Sequence, residues 1–197
     1  IAHGASTGRT SSVHRMAAVL ERVLELTGGH ALVAHGMGGT AAAIALARGL
    51  EVDRATLVAA PADVSRWPET CFGLRGVAAA RARVHAEASG GLTYASLSLS
   101  ALGPKIRVPI LVAHDREDRA VPFEEALTVV RAVRDAGLLA TSGLGHRGIL
   151  RDREVVDDIV HFSVAEAPPS NVRETEHAEL ERESFDPQAR WDAWSAA

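Results

Sequence analysis

Short, nearly continuous apolar runs alternate along this chain with longer stretches whose apolar residues recur every three or four positions. That alternation leaves few architectures open. The runs are 31–34, 55–60, 110–113 and 138–140, each flanked by Gly, Pro, His or charged residues. Runs so short, with no polar residue at every second place, suit strands buried on both faces. Between them lie amphipathic helices. After Thr10-Ser11-Ser12, which offer capping hydroxyls, Val13, Met16, Ala17, Leu20, Val23 and Leu24 keep helical spacing until Gly28-Gly29. A second helix is predicted from Pro122, with Phe123, Ala126, Leu127, Val130 and Val133 on one face and Gly137 after its end. Val155, Val156, Ile159, Val160 and Phe162 form a third stripe. Strand and helix in alternation imply an α/β chain with a doubly wound, mostly parallel sheet flanked by helices. Ligands of such sheets bind beyond the carboxyl ends of the strands, so the residues after each run matter most.

Two stretches break the rhythm. Residues 61–105 contain Trp67, Phe72 and Tyr94, an Ala/Arg-rich helical piece and a Gly90-Gly91 break. The stretch is too long for a plain connection, which makes it a helical cap or a disordered insert; its apolar content favours the cap. From Glu166 the chain is polar and acidic, relieved only by Phe185, Trp191 and Trp194. The expected division is therefore a core over 1–165, with the cap insertion at about 61–105, and an acidic tail over 166–197.

Composition narrows the function. With 47% hydrophobic and 23% charged residues the 197-residue chain has material for a core and is not of the disordered class. A net charge of -4 argues against a nucleic-acid partner. No apolar run reaches the roughly 18 residues of a membrane span, so no membrane partner is expected. Cys71 is the single cysteine and reads as a small hydrophobe, since a catalytic thiol needs a lowered pKa and a base. No Cys/His cluster has zinc spacing, so no metal is expected. A cytoplasmic protein is the default reading, with a small molecule as its partner.

Ala34-His35-Gly36-Met37-Gly38-Gly39-Thr40 follows the first run and leads into an Ala-rich helix. A strand, a glycine-rich turn and a helix are the setting of the G-x-S-x-G nucleophile elbow, with Gly36 where the serine would stand. Small residues are needed two places either side of the centre, here Ala34 and Gly38. A phosphate-cradling loop is the competing reading, but the P-loop lysine and the third Rossmann glycine are missing. The segment resembles the His-Ser-Met-Gly-Gly elbow of the α/β-hydrolase superfamily with the hydroxyl deleted.

Further matches follow in that superfamily's order. His114-Asp115-Arg116-Glu117-Asp118-Arg119-Ala120-Val121-Pro122 is similar to the loop that carries the triad acid, which points to Asp118. By itself the charge run would read as a solvated acidic loop. Gly143-Leu144-Gly145-His146-Arg147 resembles the triad histidine loop, with His146 as base, and Ala2-His3-Gly4-Ala5-Ser6-Thr7-Gly8-Arg9 resembles the turn after the family's fourth strand. The resemblance spans roughly 1–163. His35 reads as support for the elbow, His3 and His114 as structural hydrogen-bonders, and His14, His30, His85, His161 and His177 as incidental.

The resemblance implies acyl transfer in which serine attacks, histidine moves its proton, a carboxylate orients the imidazole and two N–H groups hold the oxyanion. It implies no cofactor. Asp118 and His146 supply the acid–base pair and the Met37 N–H one oxyanion donor, while Gly36 has no oxygen with which to form an ester. The family's second oxyanion donor belongs to a loop that would precede Ile1. The chain is thus expected to be a fragment of a longer polypeptide, with 31–34 as an exposed sheet edge. The first expectation is a serine-hydrolase scaffold for a small ester, thioester or amide, impaired or inactive because Gly36 replaces the nucleophile. The alternative is a non-catalytic binder or scaffold of the same fold, and a third reading is a His–Asp base working without a covalent nucleophile.

Overall fold

A computed structural model describes residues 6–8, 11–66, 68–69, 73–90 and 93–165. Trp67, Cys71, Phe72, His3, the tail over 166–197 and all that was expected of them lie outside the described residues.

Helix α1, Val13–Thr27, is capped as its sequence predicts. The Ser12 hydroxyl accepts from the Arg15 N–H, and Gly28 closes the helix at φ +64°. Strand β1, Ala31–His35, leads through Gly36 into α2, Met37–Ala47, and β2 is Arg54–Val58. The run predicted over 55–60 thus overshoots the strand. Ala59 turns to φ +47°, a left-handed conformation that costs a residue with a side chain roughly 1–2 kcal/mol. Its N–H still reaches the Ala113 carbonyl at 2.8 Å.

Residues 61–105 hold a 3-10 turn at Val64–Arg66, helices α3 (Gly76–Gly90), α4 (Tyr94–Leu97) and α5 (Leu99–Leu102), and a second 3-10 turn at Gly103–Lys105. The last part of this stretch belongs to the body of the domain. Leu99 is buried in the main core, and Leu97 and Leu102 pack with Ala17, Ala41 and Ile44 of α1 and α2. In α3, by contrast, Val77 and Val84 are exposed, and the helix is tied back by Arg83, which pairs with Glu69.

Then come β3 (Ile110–Asp115), α6 (Phe123–Ala132), β4 (Ala136–Thr141), the single turn α7 (Gly145–Gly148) and α8 (Arg153–Val164). The second predicted helix ends before Val133, and Gly137, read as lying beyond that helix, sits inside β4. Val133 leaves helical geometry (φ -91°, ψ 128°) and still packs in the core at 3% exposed.

The four strands are parallel in the order β1-β2-β3-β4. Strands that add in one direction, each by a right-handed crossover, put their connecting helices on the same face. That face holds α2, α5 and α6 together with α1, over Ala55, Leu57, Ile110 and Val112. The opposite face, carrying Val58, Leu111 and Ala113, is covered by α8 through Val155, Ile159 and Phe162. Of the third predicted stripe, Val156 and Val160 do not join this contact and are exposed. Both central strands are buried throughout, which is why their sequences do not alternate. Among the described residues β1 and β4 are the sheet's two edges, and in β1 Val33 is 51% exposed. No described helix is long and apolar enough to cross a membrane.

Candidate active site

The β1–α2 turn, the β3–α6 loop and the β4–α7 loop all leave the same, carboxyl ends of the sheet. What draws them together starts at Gly36. Its φ of +56° lies where residues with side chains are strained, and it is the first residue before α2. The Gly36 N–H donates to the Val58 carbonyl at 2.9 Å, which closes the turn against β2. The helix lies tight there: a Cβ added at Gly39 would stand 2.5 Å from the Ala60 Cβ, whereas one at Gly38 would meet nothing within 4 Å. The close approach expected at Gly38 therefore falls one residue later. Thr40, fully buried, finishes the joint by donating its hydroxyl to the Pro61 carbonyl at 2.7 Å.

Asp118 and His146 meet. The His146 Nδ1 lies 2.7 Å from Asp118 Oδ2, and the carboxylate is fully buried while the imidazole is partly exposed. A carboxylate only accepts, so the proton of this bond is assigned to Nδ1, which leaves Nε2 of the neutral ring with a lone pair. Nε2 faces the turn: a Cβ added at Gly36 would lie 3.6 Å from it and 3.9 Å from Cε1, with no other atom of the described residues within 4 Å beyond its chain neighbours. The second oxygen of Asp118 accepts from the backbone N–H of Ala120 and Val121 at 2.7 and 2.8 Å, which fixes the carboxylate plane. Met37 opens α2, where the first N–H groups have no partner within the helix, so its N–H is available to an anion beside Gly36.

Three further groups hold this arrangement. His35 donates from Nε2 to the His146 carbonyl at 2.9 Å, and the two rings lie with centroids 4.6 Å apart. Its support thus goes to the histidine loop across the site. Burial pushes the His35 imidazole below its ordinary value, although the bond to the His146 carbonyl opposes this, so the ring is held neutral beside the His146 ring. His114 is buried and donates from Nε2 to the Val121 carbonyl at 2.9 Å, with the same Nε2 3.5 Å from Asp118 Oδ2. Burial depresses its pKa too, despite the bond to Val121 and the charge of Asp118, and its Nδ1 is buried without a partner.

Asp115 is the third, and the reading of it as part of a solvated acidic loop is overturned: it is fully buried. One oxygen accepts from the Glu117 N–H at 2.9 Å, the other from the Thr141 hydroxyl at 2.7 Å and the Leu144 N–H at 3.0 Å. Burial alone would raise its pKa, but these bonds, with one from the Gly145 backbone, outweigh it and hold the carboxyl below its usual range. Asp115 thereby clamps the loop of Asp118 to the loop of His146. Glu125 does the same for the segment after β2, accepting from the N–H groups of Ala62 and Asp63 at 2.8 and 3.0 Å. Neither clamp was singled out from sequence. A carboxylate closing a strand that opens with four apolar residues was the available signal for Asp115; Glu125 left none, since it occupies an ordinary polar helix position.

Of the front motif, Ser6, Thr7 and Gly8 are exposed. Among the described residues no three His, Cys, Asp or Glu side chains are grouped to hold a metal ion.

No protein-family model and no curated protein matches the sequence. Solved structures do match the fold. MGS-MChE2, an α/β hydrolase enzyme from the metagenome of lagoon sediments of Mar Chica, Morocco, superposes with a TM-score of 0.58 at 18% identity, covering 80% of this chain and 71% of its own. The meta-cleavage product hydrolase CumD from Pseudomonas fluorescens IP01 gives 0.57 at 18% identity over 80% and 73% of the two chains. The serine hydrolase CCSP0084 from Cycloclasticus zankles gives 0.57 at 18% identity over 80% and 74%. The parallel sheet, its flanking helices and these superpositions together show that the chain has the α/β-hydrolase fold.

Proposed function

We propose that this chain is a serine-hydrolase-type scaffold for a small ester, thioester or amide, in which the acid–base pair is assembled and the nucleophile is missing. One observation carries the reading: His146 lies between Asp118, at 2.7 Å from Nδ1, and the Cβ position of residue 36, at 3.6 Å from Nε2. A side chain at 36 would sit where a base could take its proton, with the Met37 N–H beside it for the developing oxyanion. Gly36 supplies no hydroxyl, so no acyl-enzyme forms at that position. Substrate selection is assigned to the 61–105 stretch, most of all to its α3 part, which is the least engaged with the core.

The test is hydrolysis of p-nitrophenyl acetate by the chain as it stands and by Gly36→Ser. Turnover by Gly36→Ser, lost again in Gly36→Ser/His146→Ala, is the expected result. Robust acyl-enzyme formation by the Gly36 chain itself, trapped by a serine-directed phosphonate, would refute it. The second reading, a non-catalytic ligand-binding protein, draws on the same glycine, which relieves the strain a serine would carry. It predicts saturable ester binding that is indifferent to His146→Ala, with no turnover even in Gly36→Ser.

A further inference from the structure

Among the described residues nothing hydrogen-bonds the His146 Nε2, and Gly36 offers it no hydroxyl. The imidazole is nonetheless set for work: Nδ1 is engaged by a buried carboxylate, the His146 carbonyl is held by His35, and Nε2 is turned toward residue 36. Among the described residues beyond its chain neighbours, a Cβ built on Gly36 meets this ring alone, at 3.6 and 3.9 Å, which are ordinary contact distances. The turn therefore has room for the carbon of a CH2–OH group, with a ring nitrogen facing it. Methanol is that group with the bond to Cα replaced by a C–H bond.

Resting on the reading of the site as an acyl-transfer scaffold, we infer that the Gly36 chain uses a diffusible hydroxyl compound of serine side-chain size, methanol or water, as its nucleophile. This makes it an acyltransferase from activated esters to small alcohols. The alcohol seats against Gly36 with its oxygen toward Nε2. As that oxygen attacks the acyl carbon, its proton passes to Nε2, and the imidazolium is stabilised by Asp118. The tetrahedral oxyanion lies by the Met37 N–H. On collapse the new C–O bond to the alcohol remains, the bond to the leaving oxygen breaks, and the proton on Nε2 goes to that oxygen. An ester and methanol become the methyl ester and the leaving alcohol, with no oxidant and no covalent enzyme intermediate. Water in the same place gives the free acid.

Ethanol and propan-2-ol carry one and two further carbons, and comparing their rates with that of methanol measures how closely the surroundings of Gly36 confine the alcohol.

The experiment measures methyl acetate and acetate formed from p-nitrophenyl acetate across a methanol series, using the chain, Gly36→Ala, His146→Ala and Gly36→Ser. Methyl acetate formation that saturates with methanol, falls on the order of a hundredfold or more in His146→Ala, and is lost in Gly36→Ala supports the inference. Gly36→Ala is checked by circular dichroism, because its methyl adds backbone strain as well as filling the space. Alcohol-dependent product that persists in His146→Ala overturns the inference. So does its absence from the Gly36 chain when Gly36→Ser hydrolyses the ester, and in that case the scaffold reading stands. Silence from every form, Gly36→Ser included, overturns both.

Discussion

Two neighbouring glycines in the first turn of α2 allow one chemical change to be made in two environments. Gly38 and Gly39 both sit in helical geometry, so Gly→Ala at either gains the same helix propensity, at most about 1 kcal/mol and less at a helix end. Their surroundings differ. At Gly38 the new methyl meets nothing within 4 Å, while at Gly39 it falls 2.5 Å from the Ala60 Cβ, with Ala60 Cα at 3.5 Å and the Ala34 carbonyl at 3.6 Å. Ala60 is 1% exposed, and no side chain there has a flexible end that swings away, so the helix and the β2 turn must move apart. Overpacking of a closed contact by one methyl costs about 1–3 kcal/mol. Because the propensity gain is common to both variants, their difference isolates the contact at about 1–3 kcal/mol. For a chain of this size that is a separation of roughly 2–12 °C in Tm, with Gly38→Ala the higher. Urea unfolding followed by circular dichroism gives the free energies and shows through the m-value whether the native state changed. A Gly39→Ala variant as stable as Gly38→Ala would refute the close packing of α2 on β2, and with it the position of the elbow.

Three further outcomes follow from the same geometry. Gly36→Ser adds a side chain at φ +56°, so its urea midpoint falls by the equivalent of about 1–3 kcal/mol even as ester hydrolysis appears; no loss of stability would contradict the strain at the turn. Asp118→Ala removes the acceptor of the Ala120 and Val121 N–H groups and of His146 Nδ1, and each buried donor left unpaired costs about 1–3 kcal/mol, whereas His146→Ala leaves those two N–H groups bonded and is the milder variant in thermal melts. His114 has a folded pKa below its ordinary 6.5, so below that pH the unfolded chain binds a proton that the folded chain refuses. Its contribution is fully present above 6.5 and is lost as pH falls, by at most about 1.4 kcal/mol per pH unit for one proton, and His114→Gln flattens that part of the unfolding-against-pH curve; an unchanged curve would contradict a buried neutral ring.

Much of the layout was legible before coordinates because it rests on period and punctuation. Ser12 and Gly28 bound α1 where their chemistry puts them, and the nearly continuous apolar runs within β2 and β3 announced burial on both faces. Asp118, His146 and Gly36 stand out in the sequence because their loops, each after an apolar run, resemble the elbow and triad loops of the α/β-hydrolase superfamily, and the structure brings the three together. What failed to show in sequence depended on partners far along the chain. Asp115 reads like its neighbours Glu117 and Asp118, and only the Thr141 hydroxyl and the Leu144 N–H, from β4 and the loop beyond, mark it as buried. The exchange of Gly38 for Gly39 as the tight glycine turned on one residue of helix phase, which no periodicity resolves. Gly137 stands in a strand because the chain leaves α6 early, at Val133, to align Ala136 with Ile110.

The acid–base pair, for all its resemblance to catalytic machinery, does not by itself argue for catalysis. Asp118 has a second occupation in the β3–α6 loop, where its other oxygen bonds two N–H groups and its removal would expose unpaired donors to a dry interior. A fold that had lost all use for a base would still be penalised for losing this carboxylate. The imidazole is different. Nothing described in the chain depends on its Nε2, and the bond that His35 makes is to the His146 carbonyl, which any residue at 146 would offer. The side chain of His146 is therefore the part of the pair whose placement stability explains least. A buried carboxylate aligned to its Nδ1 and a glycine opposite its Nε2 are what a proton-transfer role requires, so the discriminating variant is His146→Ala rather than Asp118→Ala. If His146→Ala leaves both melting temperature and alcohol-dependent ester exchange untouched, the imidazole has neither occupation and the chemical reading of this site fails.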